Sequence, residues 1–146
     1  MELYYRRRLP HWREDDVTYF VTWRLASGQH ELDSWERDLV VSAMRRFDGE
    51  RYQIAAYVVM DDHVHALVTP LPKYRLQDIL HSWKSFTARQ MQRDHKRFGR
   101  IWQHEYFDRI VRDDKELLEK LDYIVHNPWK RWPDLEGYSW VWPIEV

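Results

Sequence analysis

The chain has 146 residues, 44% hydrophobic and 16% aromatic, which suits one core in a single domain spanning 1–146. It has no cysteine, excluding disulfides, thiolate metal sites and cysteine nucleophiles, and no apolar run fit for a membrane span or a signal peptide, so a cytoplasmic protein is expected. The formal net charge is -1, yet eight basic residues fall between Lys84 and Arg112 against three acidic ones; a basic face and an ordinary solvated helix surface both remain open.

Residues 17–25 are β-branched and aromatic and predict a strand, ended by Ala26-Ser27-Gly28. Ser34 or Asp33 caps a helix through Trp35, Leu39, Val40, Ala43, Met44 and Phe47, which Asp48-Gly49 closes. Residues 53–60 and 63–69 read as a strand pair with Asp61-Asp62 as its turn, and Pro70 and Pro72 stop the second strand. Leu76, Ile79, Leu80, Trp83, Phe86 and Thr87 mark an amphipathic helix to about Arg93, followed by a loop at Arg97-Phe98-Gly99-Arg100.

Residues 102–111 fit either strand or irregular chain. Asp113 or Asp114 caps a helix through Leu117, Leu118, Leu121 and Ile124 that ends at Asn127-Pro128, and the Trp-rich tail is expected to wrap irregularly. The order predicts an α+β sandwich, an antiparallel sheet with helices on one face.

Two short patterns carry chemistry. In His63-Val64-His65 the strand pleat sends both imidazoles to one face, where they can chelate a metal ion or simply meet solvent. In Tyr123-Ile124-Val125-His126-Asn127, Tyr123 and Asn127 share a helix face at i, i+4; the alternative is an amphipathic Tyr with a capping Asn. Together they are more informative. A phenol with a pKa of about 10 is a poor nucleophile unless its target is polarised. A metal held by His63, His65 and the amide oxygen of Asn127 can polarise a phosphate for attack by Tyr123.

Further matching pieces stand in a fixed order: Tyr19-Phe20-Val21-Thr22, Val59-Met60-Asp61-Asp62 ahead of the histidine pair, and Trp83-Lys84-Ser85-Phe86-Thr87. Gly99-Arg100-Ile101-Trp102-Gln103, Tyr106-Phe107-Asp108-Arg109 and the Tyr123 to Pro128 segment follow. The whole resembles the single-tyrosine HUH (histidine, hydrophobic, histidine) transposases, IS200-like, and among them the REP-associated tyrosine transposases. The resemblance implies a ferredoxin-like sheet with the histidine pair on a central strand, and Tyr123 as nucleophile. It also implies Mg or Mn as the divalent metal and a 5′-phosphotyrosine intermediate with a free 3′-OH. The implied partner is single-stranded DNA carrying palindromic hairpins, bound by a monomer or a homodimer. Two departures stand out: Asp61-Asp62 replaces the Pro-Asn of many relatives, and the tail is aromatic and mildly acidic where many carry a basic extension.

Lys84, Arg89, Arg93, Arg100, Arg109 and Arg112 are candidate phosphate contacts, each with surface charge as the alternative. Trp83 is expected in the core, Trp102 and Tyr106 as stacking candidates, and Asp108-Arg109 as an internal ion pair. A domesticated hairpin-binding module without cleavage is the competing function. A small-molecule hydrolase using Asp61 or Asp62 is a third.

Overall fold

The computed structural model describes residues 16–144, so the Arg6-Arg7-Arg8 cluster lies outside the described residues. Five antiparallel strands form one sheet in the order β4-β1-β3-β2-β5. They are β1 (Tyr19–Arg24), β2 (Tyr52–Val59), β3 (His63–Pro70), β4 (Phe107–Ile110) and β5 (Val141–Trp142). Among the described residues three helices accompany them: α1 (Ser34–Arg45), α2 (Leu76–Asp94) and α3 (Asp114–Arg131). Central β3 pairs with β1 so that Thr22 faces His65 and Arg24 faces His63.

The pleat of β3 divides the core. Val64, Ala66 and Val68 join Val21 and Trp23 of β1 against Val40 and Met44 of α1 and Leu80 and Trp83 of α2. Leu67 turns the other way, with Phe20 and Val58, against Leu117, Leu121 and Ile124 of α3. The expected α+β antiparallel sheet is present, but the placement of all helices on one face is corrected: α3 covers the opposite face. The physical reason is that β1, β2 and β3 are apolar on both faces at the sheet centre, so each face needs a cover.

The local signals act as read at most ends. Asp33 accepts from the Glu36 amide at 2.8 Å while Glu36 Oε1 accepts from the Asp33 amide at 3.0 Å, a reciprocal capping box. Asp113 caps α3 through the Glu116 amide at 2.8 Å. Three boundaries differ. The helix read through Phe47 ends at Arg45. Helix α3 runs past Asn127-Pro128 to Arg131: a proline forfeits only its own amide bond to the turn before it, and the turn after it closes where Trp132 donates its amide to the Pro128 carbonyl at 2.8 Å. The tail is not wholly irregular: Val141–Trp142 pairs with Tyr57 and Val58 as an edge strand.

One buried ion pair ties α1 to the segment after α2. Arg97 Nε donates to Glu36 Oε2 at 2.6 Å and Nη2 to Oε1 at 2.8 Å, with both side chains 1% exposed. Burial works to raise the Glu36 pKa, but the Arg97 bonds and the cap outweigh it and hold the carboxyl below its ordinary value. Among the described residues no helix is long and apolar enough to cross a membrane. Arg97→Ala strands the buried carboxylate and is expected to cost about 3–5 kcal/mol in urea unfolding. The Glu36→Gln, Arg97→Met double variant should lose less, and equal losses would refute the stranded-charge account.

Candidate active site

His63 and His65 leave β3 on the face that α3 covers, with ring centroids 4.7 Å apart. Both are buried, at 8% and 4% exposure. Each imidazole spends its Nδ1 on a protein partner. His65 Nδ1 lies 2.7 Å from Thr22 Oγ1 on the neighbouring strand, and His63 Nδ1 lies 2.6 Å from Asp62 Oδ1 in the turn. The Nε2 of His65 is buried without a hydrogen-bond partner. Such an orphan is costly unless something occupies it. A neutral His whose Nδ1–H is held by a hydroxyl or carboxylate and whose Nε2 lone pair is open has the arrangement of a metal ligand. The residues present therefore fit a divalent ion.

Tyr123, on the second turn from the motif's end in α3, stands beside them. Its ring centroid is 5.3 Å from that of His65 and 6.0 Å from that of Phe20, both edge-on. Phe20 in turn stacks on His65 at 5.3 Å. Tyr123 is 42% exposed, so its hydroxyl-bearing ring is open to a substrate while the histidines are not. Asn127 follows one turn later, buried at 8%. A cleft of about 570 Å³, whose lining includes Thr22, Arg24, His65, Phe107 and Tyr123, opens at this place.

Burial pushes the His65 pKa down to about 3, aided by the nearby charges of His63, Arg24 and Lys120. Burial also lowers His63, against the pull of Asp62. The turn is held from α3: Arg131 Nη2 donates to Asp61 Oδ2 at 2.9 Å, and its Nη1 lies 3.6 Å from Asp62 Oδ1. Burial would raise Asp62, but its bond to His63 and the charges of His63 and Arg131 hold it below the ordinary value.

Of the residues singled out from sequence, His63, His65 and Tyr123 meet here, with Asn127 one turn on. The six candidate phosphate contacts do not gather around them. Lys84 Nζ donates to the carbonyls of Gln103 and His104 at 2.8 and 2.9 Å and so fixes that segment. Arg93 pairs with Asp94, and Arg109 pairs with Glu116 rather than with adjacent Asp108, which corrects the expected Asp108-Arg109 pair. Side chains of neighbouring strand residues point to opposite faces, and Glu116 at the start of α3 lies within reach. Arg89, Arg100 and Arg112 are exposed.

Trp102 is not a stacking platform. It is buried at 4%, edge-on to Trp23, with its indole N–H donated to Thr87 Oγ1 at 2.9 Å. Sequence reading missed Thr22, Asp62 and Phe20 as supports of the histidines. It also missed the cations that flank the site: Lys120 Nζ lies 4.9 Å from the Phe20 ring centre and Lys130 Nζ 6.0 Å from that of Tyr123. The available signal was helical spacing, since Lys120, Tyr123, Asn127 and Lys130 recur every three or four residues.

A second group, Asp33, Glu36 and His95, places three ligand-type atoms within 4.8 Å of one another, but the Arg97 guanidinium already supplies its cation.

The family described as "Transposase IS200 like" matches residues 17–127, a stretch that includes Thr22, His63, His65, Tyr123 and Asn127. The chain belongs to this IS200-like transposase family. A protein of Haemophilus influenzae provisionally named a REP-associated tyrosine transposase is 32% identical over 92 residues, 54% of this chain and 51% of that protein. The REP-associated tyrosine transposase of Escherichia coli K12 is 26% identical over 136 residues, 88% of this chain and 75% of that one. The chain thus matches about half the length of the first relative and three quarters of the second. A solved structure of a REP-associated tyrosine transposase bound to a REP hairpin superposes with a TM-score of 0.67 at 22% identity, covering 84% of this chain and 74% of that one, and shares its fold.

The depressed His65 pKa has a consequence for this family member. Between about pH 6.5 and 3 the unfolded chain binds a proton at this position that the folded chain refuses, so stability is present above the unfolded value and falls as pH falls. Urea unfolding at pH 7 and pH 5 should show a smaller loss in His65→Gln than in the natural chain; equal losses would contradict the buried neutral imidazole.

Proposed function

We propose that residues 1–146 act as one transposase domain that cleaves and rejoins single-stranded, hairpin-bearing DNA with Tyr123 as nucleophile. The observation that carries this reading is the orphaned, buried Nε2 of His65 beside an exposed tyrosine ring. His63, His65 and the amide oxygen of Asn127 would hold a divalent ion, Mg or Mn. When bound, it supplies charge to a non-bridging phosphate oxygen and orients the scissile bond.

The protein's own part is positional. Thr22 and Asp62 fix the two imidazoles through Nδ1, in the tautomer that leaves the Nε2 lone pair open. Phe20 packs the His65 ring from one side and limits where Tyr123 can lie. Tyr123 Oη forms the new bond to phosphorus as the bond to the 3′ oxygen breaks; the phenol gives up its proton, and the 3′ oxygen takes one to leave as a hydroxyl. The phosphotyrosine retains the phosphodiester energy, so a later 3′-hydroxyl can reverse the step without ATP. Lys120, Lys130 and Arg24 set positive charge around the cleft, where a phosphate strand would pass.

The site is complete within one chain, in a monomer or a homodimer alike, and cytoplasmic DNA is the proposed setting. The relative solved with a REP hairpin supports hairpin DNA as the substrate class.

A denaturing gel tests the proposal with labelled hairpin oligonucleotides from the gene's own flanks, with Mn or Mg and with chelator. A covalent protein–DNA adduct should form only with metal and should vanish in Tyr123→Phe, while hairpin binding stays near normal. An undiminished adduct in Tyr123→Phe would refute the nucleophile. Binding with no adduct from any flank would favour a domesticated hairpin-binding module.

A further inference from the structure

Phe98 is 84% exposed, the most exposed large apolar side chain among the described residues. It does not sit on a loose loop. The residue before it is the buried Arg97, whose guanidinium also donates to the His30 and Glu31 carbonyls at 2.9 and 3.0 Å. From the facing loop, Gln29 Nε2 donates to the carbonyls of Phe98 and Arg100 at 2.8 and 2.9 Å, and from α2 Gln92 Nε2 donates to that of Gly99 at 2.9 Å. Left-handed backbone at Lys96 (φ 54°) and Gly99 (φ 72°) turns the chain on either side of the ring.

The fold thus spends a buried ion pair and three side-chain bonds on fixing a backbone whose side chain gains nothing from the core. Lys96 and Arg100, both exposed, stand two residues to either side of Phe98 in the chain. The loop also stands at the active-site end of the sheet. Ile101 accepts from the Ala26 amide at 2.8 Å, and the neighbouring Leu25 and Leu32 amides donate to the carbonyls of Asp62 and Asp61, the turn that leads into His63.

We propose that Phe98 is a preorganised stacking platform for one unpaired nucleobase of the DNA substrate, with Lys96 and Arg100 taking the phosphates on either side. This rests on the single-stranded DNA reading above. A protein partner fits less well, because an apolar anchor at a protein interface sits within a wider apolar patch, whereas the exposed residues beside Phe98 in the chain are Lys96, Gly99 and Arg100, and half-exposed Trp35 is already stacked on His95. A π-face with nearby cations on a rigid backbone is an arrangement that binds single strands at a reduced ordering cost on the protein side.

The test is equilibrium binding of a hairpin oligonucleotide with unpaired bases on both flanks, with 2-aminopurine placed at each unpaired position in turn. Phe98→Ala should weaken binding about ten-fold and abolish the fluorescence change on binding at one position, with an unchanged dependence on salt. Phe98→Trp should restore both effects, and Phe98→Leu should behave as Ala. The Lys96→Ala, Arg100→Ala double variant should reduce the salt slope instead. Natural-chain affinity in Phe98→Ala, or full rescue by Leu, would overturn the proposal. A natural chain that binds no such oligonucleotide would refute the function reading itself, a separable outcome.

Discussion

The two-residue period of β3 is the constraint on which the rest of this molecule depends. It sends Val64, Ala66 and Val68 into one core and His63 and His65 toward the other face, so a single strand is both the centre of the sheet and the floor of the site. A slip of one residue would bury the histidines under α1 and α2 and turn the valines toward Tyr123. The apolar demand of the first core therefore fixes the histidine positions, and it does so from the side remote from the chemistry.

Helix α3 completes the site from the opposite direction. Leu117, Leu121 and Ile124 press it onto the sheet, which leaves Tyr123 at the margin, edge-on to His65. Its last turn then reaches back to the β2–β3 turn through Arg131, Asp61 and Asp62. The Asp-Asp pair is thus more than a turn: one carboxylate anchors the helix that carries Tyr123 and the other orients a histidine. Burial raises Asp61 while Arg131 opposes that rise, as expected for a carboxylate taken from water and paired with one cation.

The parts legible in the sequence are those set by local periodicity. The pleat gave the shared face of His63 and His65, the helical turn gave Tyr123 with Asn127, and the strand-helix order foretold the antiparallel sheet. What escaped depends on partners far apart in the chain. Thr22 meets His65 across 43 residues and Arg131 meets Asp61 across 70, and no spacing rule announces either. The covering of both sheet faces was missed because a continuous apolar run reads the same whether one face or two will be packed. The basic residues of α2 looked like a DNA face, yet Lys84 and Arg93 carry internal bonds, and the cations beside the cleft are Arg24 at the end of β1 and Lys120 and Lys130 of α3.

The central claim is that the histidines and the tyrosine of one chain form one working site. Mixing Tyr123→Phe with His65→Ala in equal amounts, and scoring covalent adduct against the natural chain, tests it directly. The account predicts adduct from the natural chain and none from the mixture, because neither variant holds a complete site. Adduct restored by mixing would show that α3 serves a partner's histidines and would contradict it.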